Sequence, residues 1–289
     1  MEKKLIFSGL LAGAVGGLTA WIFALLFAEP LIDRAIAYED GRAAAQEALD
    51  RAAGFAIPAE EGGDVVSRGI QSTLGLGVGL FAFGLAMGAL FAVTYAVCLG
   101  RTGQIRARPL ALLVAAAGFV TVSLIPFIKY PANPPAASND ETVGDRASLF
   151  LLTLVIGVLV AVIATAVGQQ LKLRLGTWNA ALIAGAGFVA VIAIALLILP
   201  PLGHLDANVA ATGAEHNTET PRALRDPDGT IVFPGFPADV LAEFRVYSVA
   251  AQALLWAVIG LVFAPLADRL LRSGQRPGVA PPQRETVGI

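Results

Sequence analysis

Long apolar stretches without a charged residue alternate along the chain with shorter polar segments. Six stretches of 20 to 32 residues contain no Lys, Arg, Asp or Glu; they lie between Lys4 and Glu29, Arg68 and Arg101, Arg108 and Lys129, Arg146 and Lys172, Arg174 and Asp206, and Arg245 and Asp268. A helix of roughly 20 apolar residues crosses a bilayer core about 30 Å thick. The pattern predicts six transmembrane helices, near residues 5–27, 74–98, 109–127, 149–168, 178–199 and 247–266.

Composition supports a membrane protein of the all-α class. Charged residues make up 15% of the 289-residue chain, against roughly 25% in soluble domains. Spanning strands would alternate over about ten residues, which these stretches do not do. A cleaved signal peptide is the alternative for 5–27, but its apolar run is longer than usual and Pro30 lies close to the small Ala28.

The distribution of charge predicts the orientation of the bundle. With the N-terminus in the cytoplasm, the inner segments hold 11 Lys or Arg and 3 acids, and the outer ones 9 basic and 19 acidic residues. Because short cytoplasmic loops are enriched in Lys and Arg, we expect both termini to be cytoplasmic. The prediction is a polytopic domain over 1–271, an extracytoplasmic helix after the first span, and a disordered cytoplasmic tail over 272–289.

Several functions are excluded or disfavoured by what the chain lacks. A single cysteine, Cys98, excludes an internal disulfide framework. The net charge of −2 gives no basic excess for nucleic acid, and no nucleotide-binding or hydrolase motif is present, so we expect no enzyme and no permanently bound cofactor. Charges are absent from the spans, which disfavours a proton pump built on intramembrane carboxylates.

Polar and small residues within the spans predict how the helices pack. We expect the threonines to bond back to their own helix (Thr19, Thr94, Thr121, Thr153 and Thr165). Gln252 is different, because its amide needs partners from another helix. Glycines four residues apart predict close helix contacts (Gly9, Gly13 and Gly17 in the first span; Gly75, Gly79, Gly84 and Gly88 in the second). A sliding surface or narrow path along these glycines is the alternative.

The first outer segment reads as a helix from Glu29 to about Ala53. At about 100° per residue, its acids form a stripe leading to the membrane surface (Glu29, Asp33, Asp40 and Glu47), with Glu39 off the stripe. Such a stripe concentrates cations, or is simply a solvated helix face.

The second outer segment is rich in proline. It reads Lys129-Tyr130-Pro131-Ala132-Asn133-Pro134-Pro135, and three prolines in five residues forbid a helix. It is either a stiff hairpin between spans or an outer mouth in which carbonyls and Asn133 receive a cation that is losing water.

The third outer segment contains His204 and Asp206, and later Glu215 and His216. Imidazole with carboxylate suits borderline divalent metals such as cobalt, nickel or zinc, although isolated loop histidines are commonly solvated. The stretch 217–230 is polar and expected to be mobile. Arg146 and Arg245 follow the outer segments, and we expect them to hold the mouth in shape by pairing with outer carboxylates.

Four patches of the chain resemble the CbtA family, predicted cobalt transporter subunits of bacteria. They are the glycine-rich first span ending in Glu29-Pro30 with Ile36 and Glu39; the segment 129–135 with Thr142 and Arg146; Phe236-Pro237 with Asp239; and Phe244-Arg245 with Ser248, Gln252, Trp256 and Gly260. The resemblance implies a protein of the bacterial cytoplasmic membrane tied to cobalt supply for cobalamin synthesis. It also implies a small single-span, histidine-rich partner, CbtB.

Two hypotheses follow from the residues and the resemblance together. In the first, the chain is a membrane subunit for uptake of a divalent cation, Co²⁺, with Glu29, Glu39, His204 and Asp206 as candidate metal ligands. Its outer mouth comprises Lys129, Tyr130, Pro131, Asn133, Pro134, Pro135, Arg146, Arg245 and Gln252. In the second, it is a non-transporting scaffold or assembly subunit; a transporter of another small solute is a third option. The oligomeric state is left open, a homo-oligomer being compatible with it.

Overall fold

The computed structural model describes residues 2–56, 68–103, 105–213 and 216–274, and within them the chain is a bundle of long helices. Helix α1 spans Glu2–Phe27 and α2 spans Glu29–Ala52. Helix α3 covers Arg68–Cys98 and α4 covers Ala107–Lys129, each with one π-helical turn, at Gln71–Gly75 and Phe119–Leu124. Helix α5 is Val143–Ile198, α6 is Asp206–Thr212 and α7 is Ala238–Gly274. Two 3₁₀ turns, Asp140–Thr142 and Leu202–His204, lie before and after α5.

Among the described residues, five helices are long and apolar enough to cross a membrane: α1, α3, α4, the segment containing α5, and α7. This agrees with the predicted membrane protein of the all-α class. The predicted last span, 247–266, lies inside a longer helix, because the polar turns at both ends of α7 continue the helix beyond the apolar stretch. Of the predicted tail, 272–274 ends α7, and 275–289 lies outside the described residues.

Helix α5 is a hairpin rather than one straight helix. Gly176, with φ 75° and ψ 169°, interrupts it, and a positive φ of this kind strongly favours glycine. A Cβ placed on Gly168 would lie 3.2 Å from the Cβ of Ala184. In a straight helix these residues would be about 24 Å apart, so the chain reverses at Gly176 and its two halves pack side by side.

The main core lies between α1, α3, α4 and α7. Phe263 of α7 meets Phe91 and Tyr95 of α3 edge to face, with ring centroids 4.9 Å apart in both pairs. Glycines let α7 come close to α1 and α4. A Cβ on Gly16 of α1 would lie 3.1 Å from the carbonyl oxygen of Leu255, and the ring of Trp256 packs on Gly118 of α4. The hairpin α5 lies at the edge of this core, because only 6% of its most apolar window is buried.

The connecting segments gather at two ends of the bundle. At one end, called here the basic end, Gln169 donates to the carbonyl of Arg101 at 3.0 Å, and Arg108 pairs with Asp268 at 2.9 Å. At the opposite, acidic end lie α2, the proline-rich segment and the stretch 199–237; there Tyr130 donates to the carbonyl of Pro200 at 2.9 Å.

A second, smaller core holds α2 on the acidic end. Tyr38 lies at its centre, with its ring 5.0 Å from that of Phe236 and its hydroxyl donating to the carbonyl of Pro234 at 3.1 Å. Its buried apolar residues come from three segments: Leu31, Ala35, Tyr38, Ala137, Phe236 and Val240. The outer helix is therefore packed against the protein through its first half.

The stretch expected to be mobile, 217–230, contains one of the two strands in the part of the chain that the structure describes, and the other strand follows it directly. Strand β1, Leu224–Arg225, pairs antiparallel with β2, Ile231–Phe233. Asp226 closes the turn between them, because its side chain accepts from the amide of Thr230 at 2.8 Å. Part of 217–230 is thus regular structure, with an Asx-type turn next to the Phe233–Tyr38 contact, and the mobility of the rest stays a prediction.

Candidate functional site

The acidic stripe on α2 is neutralised where it meets the bundle. Glu29 is 7% exposed, and its Oε1 pairs with Nη2 of Arg68 at the start of α3. The same Nη2 lies 3.1 Å from Oδ1 of Asp33, one helical turn further along. Two carboxylates thus converge on one cationic nitrogen. From sequence, Arg68 marks only the edge of an apolar stretch, because its distance of 39 residues from Glu29 gives no sign that the two side chains meet.

Glu39 lies in a second acidic group on α2. Partial loss of hydration raises the pKa of its carboxyl above the usual value, and the negative charges of Asp140 and Asp40 raise this pKa further. Asp140 belongs to the 3₁₀ turn before α5, so carboxylates from two segments repel one another here. A bound cation would relieve this repulsion.

The four candidate metal ligands do not form one site. Glu29 and Glu39 are ten residues apart on one helix, which corresponds to about 15 Å. His204 and Asp206 are exposed on the turn leading into α6. Among the described residues, no group of three His, Cys, Asp or Glu lies close enough together to hold a metal ion. A single mouth combining Glu29, Glu39 and His204 therefore does not fit the geometry.

The proline-rich segment is built into a polar cluster, defined as Asn133, Arg146, Glu219 and Arg245. Asn133 Oδ1 accepts from Nε and Nη2 of Arg245 at 3.1 and 2.7 Å, and its Nδ2 donates to Glu219. Nε of Arg146 lies 3.5 Å from Oε2 of Glu219. The expected pairing of Arg146 with a carboxylate is confirmed, whereas Arg245 reaches Glu219 through the amide of Asn133.

Around the cluster, the other mouth residues serve as walls. Tyr130 and Pro134 are buried, and Lys129 and Pro131 are half-buried. Pro135 is exposed. Glu219 was missed by sequence reasoning, since it is 86 residues from Asn133. Both arginines have an acid close by in sequence, Asp145 before Arg146 and Glu243 before Arg245, so nothing local indicated a distant partner.

Gln252 belongs to a different site, inside the bundle. Its Oε1 accepts from Ser123 Oγ at 3.2 Å, and Ser123 also accepts from Trp256 Nε1 at 3.1 Å. Ser123 lies on the π-helical turn of α4, and such turns are frequent at functional sites. The expected partner on another helix is confirmed. So is back-bonding by the span threonines, each to the carbonyl four residues earlier: Thr19, Thr94, Thr121, Thr153 and Thr165.

The glycine contacts are confirmed for one face of α3 only. Gly9 and Gly13 lie against Gly88 and Gly84, and a Cβ on Gly17 would lie 2.7 Å from the carbonyl oxygen of Leu80. The expectation for Gly75 and Gly79 was wrong. Gly79 has no neighbour within 4 Å, and Gly75 meets only its own preceding turn at 3.7 Å. Both lie on the opposite face of α3, where Gly79 is about 140° from Gly84.

These features define a multi-pass helical membrane protein with its ionisable groups concentrated at the two ends of an apolar bundle. A family model described as "Probable cobalt transporter subunit (CbtA)" matches residues 2–268. The chain belongs to this family. No curated protein and no solved structure matches it.

Proposed function

We propose that this chain is the membrane-embedded subunit of a divalent-cation uptake system, that its cation is Co²⁺, and that the system supplies cobalamin synthesis. The observation that carries the proposal is the match to the cobalt transporter family over nearly the whole chain. The chain acts as a transport subunit rather than an enzyme, and Co²⁺ is its cargo, not a resident cofactor.

In this proposal the chain lies in the bacterial cytoplasmic membrane with six spans and both termini in the cytoplasm. Two observations support the arrangement. The reversal at Gly176 lets the halves of α5 cross separately. The loops at the basic end contain arginine and lysine without acids over 99–108 and 169–177, as cytoplasmic loops do.

Cation capture begins, in this proposal, at the carboxylates around Glu39. The raised pKa of Glu39 supports this role, because it reflects partial loss of hydration together with the negative charges of Asp140 and Asp40. A divalent cation bound here is attracted by the carboxylates of α2 and by Asp140 of the 3₁₀ turn at the same time. Outward position and negative potential together raise the local cation concentration.

Glu29 and Asp33 act in a second step, closer to the bundle. Here the guanidinium of Arg68 lies where a metal cation would bind, since its Nη2 contacts both carboxylates. An arriving divalent cation competes with this guanidinium for the same oxygens. The proline-rich mouth and the pair His204 and Asp206 lie at the same end and complete the outer surface in this proposal.

A partner subunit supplies the ligands that this chain lacks. The family description as a subunit supports a partner, and the two histidines of the chain leave the soft ligands for Co²⁺ to come from elsewhere. We propose that the partner is a small, single-span, histidine-rich protein, and that the complex is embedded in lipid.

Cobalt accumulation in cells tests the proposal. Cells without their own cobalt uptake would carry the full chain, with and without its partner, and uptake of radioactive Co²⁺ would be measured at limiting concentration. The double variant Glu39→Gln, Asp140→Asn is expected to lower the initial rate about tenfold, since electrostatic focusing contributes 10- to 1,000-fold to such rates. Asp228→Asn, in the turn between β1 and β2, is the matched control with the wild-type rate.

Unchanged cobalt accumulation with both subunits present would overturn the proposal. The second candidate, a scaffold subunit, would then be favoured. It has one specific observation in its support: the described residues contain no group of three metal-ligating side chains. Isolation of the chain in a larger complex without bound or transported cobalt would establish it.

A further inference from the structure

A cavity of about 490 Å³ opens at the acidic end, beside the polar cluster. Its walls come from α2, the segment around Ser138 and Asn139, α6, and the stretch 219–225. This volume falls within the range of about 300–1,000 Å³ that small-molecule sites occupy. None of the described residues that line it is aromatic, so its shape and lining suit a small hydrophilic solute.

The charge of the cavity is positive, in contrast to the end of the bundle on which it lies. Three arginines line it: Arg42, Arg222 and Arg225. Glu219, the single carboxylate among the described residues of its wall, is already bonded to Asn133 and faces Arg146. The cavity therefore disfavours a cation and favours an anion that can meet several guanidinium groups.

Two of the guanidinium groups are held in place by the backbone. Arg42 donates through Nη1 to the carbonyl of Arg222 at 2.8 Å, and Arg225 donates through Nη1 to the carbonyl of Gly229 at 2.6 Å. A guanidinium carries five N–H donors, so each retains donors for a ligand. Anchoring before the ligand arrives lowers the entropy cost of binding.

A neutral donor extends the set on the opposite wall. Ser138 Oγ accepts from Nδ2 of Asn133 at 3.2 Å, which leaves its own hydroxyl hydrogen free to be donated. Asn139 donates to the carbonyl of Ala207, and Thr212 donates to the carbonyl of Thr218, so both side chains tie this wall to neighbouring segments. Fixed N–H and O–H donors from separate segments thus surround one space.

We propose that this cavity binds a small multivalent oxyanion, a polycarboxylate or a phosphate. Arginine forks match the paired oxygens of both groups. The site lies next to the carboxylates around Glu39 without being lined by them, since Asn139 in its wall directly precedes Asp140. It would let the protein bind an anion on the same face that collects cations, and it stands whether or not the transported ion is cobalt.

Calorimetry on the purified full chain in detergent tests the proposal, with citrate and inorganic phosphate as probes at low ionic strength and without metal. The test variant is Arg222→Gln, Arg225→Gln; Arg42 is kept because it bonds the backbone of Arg222. The control is Arg51→Gln on α2, whose guanidinium pairs with Glu47 at 3.8 Å. We expect at least one probe to bind wild type and control equally, and the double variant about tenfold or more weakly.

Binding of citrate alone would assign the site to polycarboxylates, and binding of phosphate alone would assign it to phosphates. The unfolding midpoint of the double variant should equal that of the control, since both Arg222 and Arg225 are exposed. Failure of both probes to bind wild type at millimolar concentration would overturn the proposal, as would equal affinity in wild type and double variant. Because no metal is present, either result is independent of the cobalt uptake assay.

Discussion

Gly13 lies where α1 and α3 touch backbone to backbone, with no room for a side chain. A Cβ there would fall on the carbonyl oxygen of Gly84, and 2.9 Å from the Cα of Gly88. We expect Gly13→Ala to force the helices apart and to lower the free energy of unfolding by about 1–3 kcal/mol. The thermal midpoint of the purified protein in detergent measures this.

Gly79→Ala is the matched control for that substitution. It lies on α3 as Gly84 does, but nothing approaches it within 4 Å. Alanine in a helix is favoured over glycine by about 0.5–1 kcal/mol, so the midpoint should stay or rise. An equal loss in both variants would contradict the close-contact interpretation.

Glu39 makes stability depend on pH in a direction set by its raised pKa. A carboxyl with a higher pKa in the folded state holds a proton that the unfolded chain has lost, so its contribution to stability falls as pH rises through that pKa. We therefore expect Glu39→Gln to raise the unfolding midpoint at pH 7. The gain should disappear below the ordinary pKa of 4.5.

The control for this pH series is Glu47→Gln, on the same helix beside Arg51. Its midpoint should not exceed that of the wild type at pH 7. A lower midpoint for Glu39→Gln at pH 7 would show that Glu39 is stabilised by a partner rather than repelled by Asp40 and Asp140.

At the residue scale, prediction from sequence succeeded where the physics is local. A threonine in lipid has its own helix within reach, and all five span threonines use it. The partners of the polar side chains at the acidic end lie far away along the chain. Arg68 bonds to Glu29 across 39 positions, and Asn133 bonds to Glu219 across 86. Spacing along one helix carries no information about such pairs.

Gly176 decides the conformation of a whole element. Its φ of 75° at the turn between the halves of α5 costs an L-residue of order 1–3 kcal/mol. We expect Gly176→Ala to lower the free energy of unfolding by about 1–2 kcal/mol and to loosen the contact of Gly168 with Ala184. Denaturant unfolding in mixed micelles measures the loss.

Gly185→Ala, in the second half of α5, provides the comparison. It is helical, and no atom lies within 4 Å of the position a Cβ would take. Stability equal to or above the wild type is expected. If Gly176→Ala were as stable as Gly185→Ala, the reversal at this residue would have to be abandoned.

The long helices could be predicted because lipid leaves the backbone one local way to satisfy its hydrogen bonds. The outer helix could be predicted from local signals at its two ends, since Pro30 fits a first turn and Gly54 ends the helix. The pair β1 and β2 could not be predicted in this way. Strands of two and three residues are too short for an alternating pattern, and their order depends on Phe233 packing against Tyr38.

For the whole molecule, the orientation in the membrane is the prediction with the widest consequences. In a Cys98→Ser background, single cysteines at two exposed positions report on the two ends: Ala132→Cys at the acidic end and Arg101→Cys at the basic end. We expect an impermeant maleimide to label the first in intact spheroplasts and the second only after lysis. The reverse pattern would remove the cation-capture argument, since the carboxylates around Glu39 would face the cytosol.

Charge separation across the molecule follows directly from the sequence. How the acidic end is subdivided does not, because its arginine-lined cavity is assembled from segments between residues 42 and 225. Net charge of a loop therefore predicted which side it lies on, but not the sign of the potential at a given point on its surface.

The backbone contact between α1 and α3 also bears on how the protein is made. These two helices precede α4, α5 and α7 in the chain, and the glycine contacts between them need no later segment to complete them. The pair can join in the bilayer while the rest of the chain is still being translated, as helices that insert independently can associate afterwards. Nascent chains arrested far enough beyond α3 for it to have left the ribosome should already cross-link α1 to α3, which would make this pair the starting point for assembly of the remaining helices.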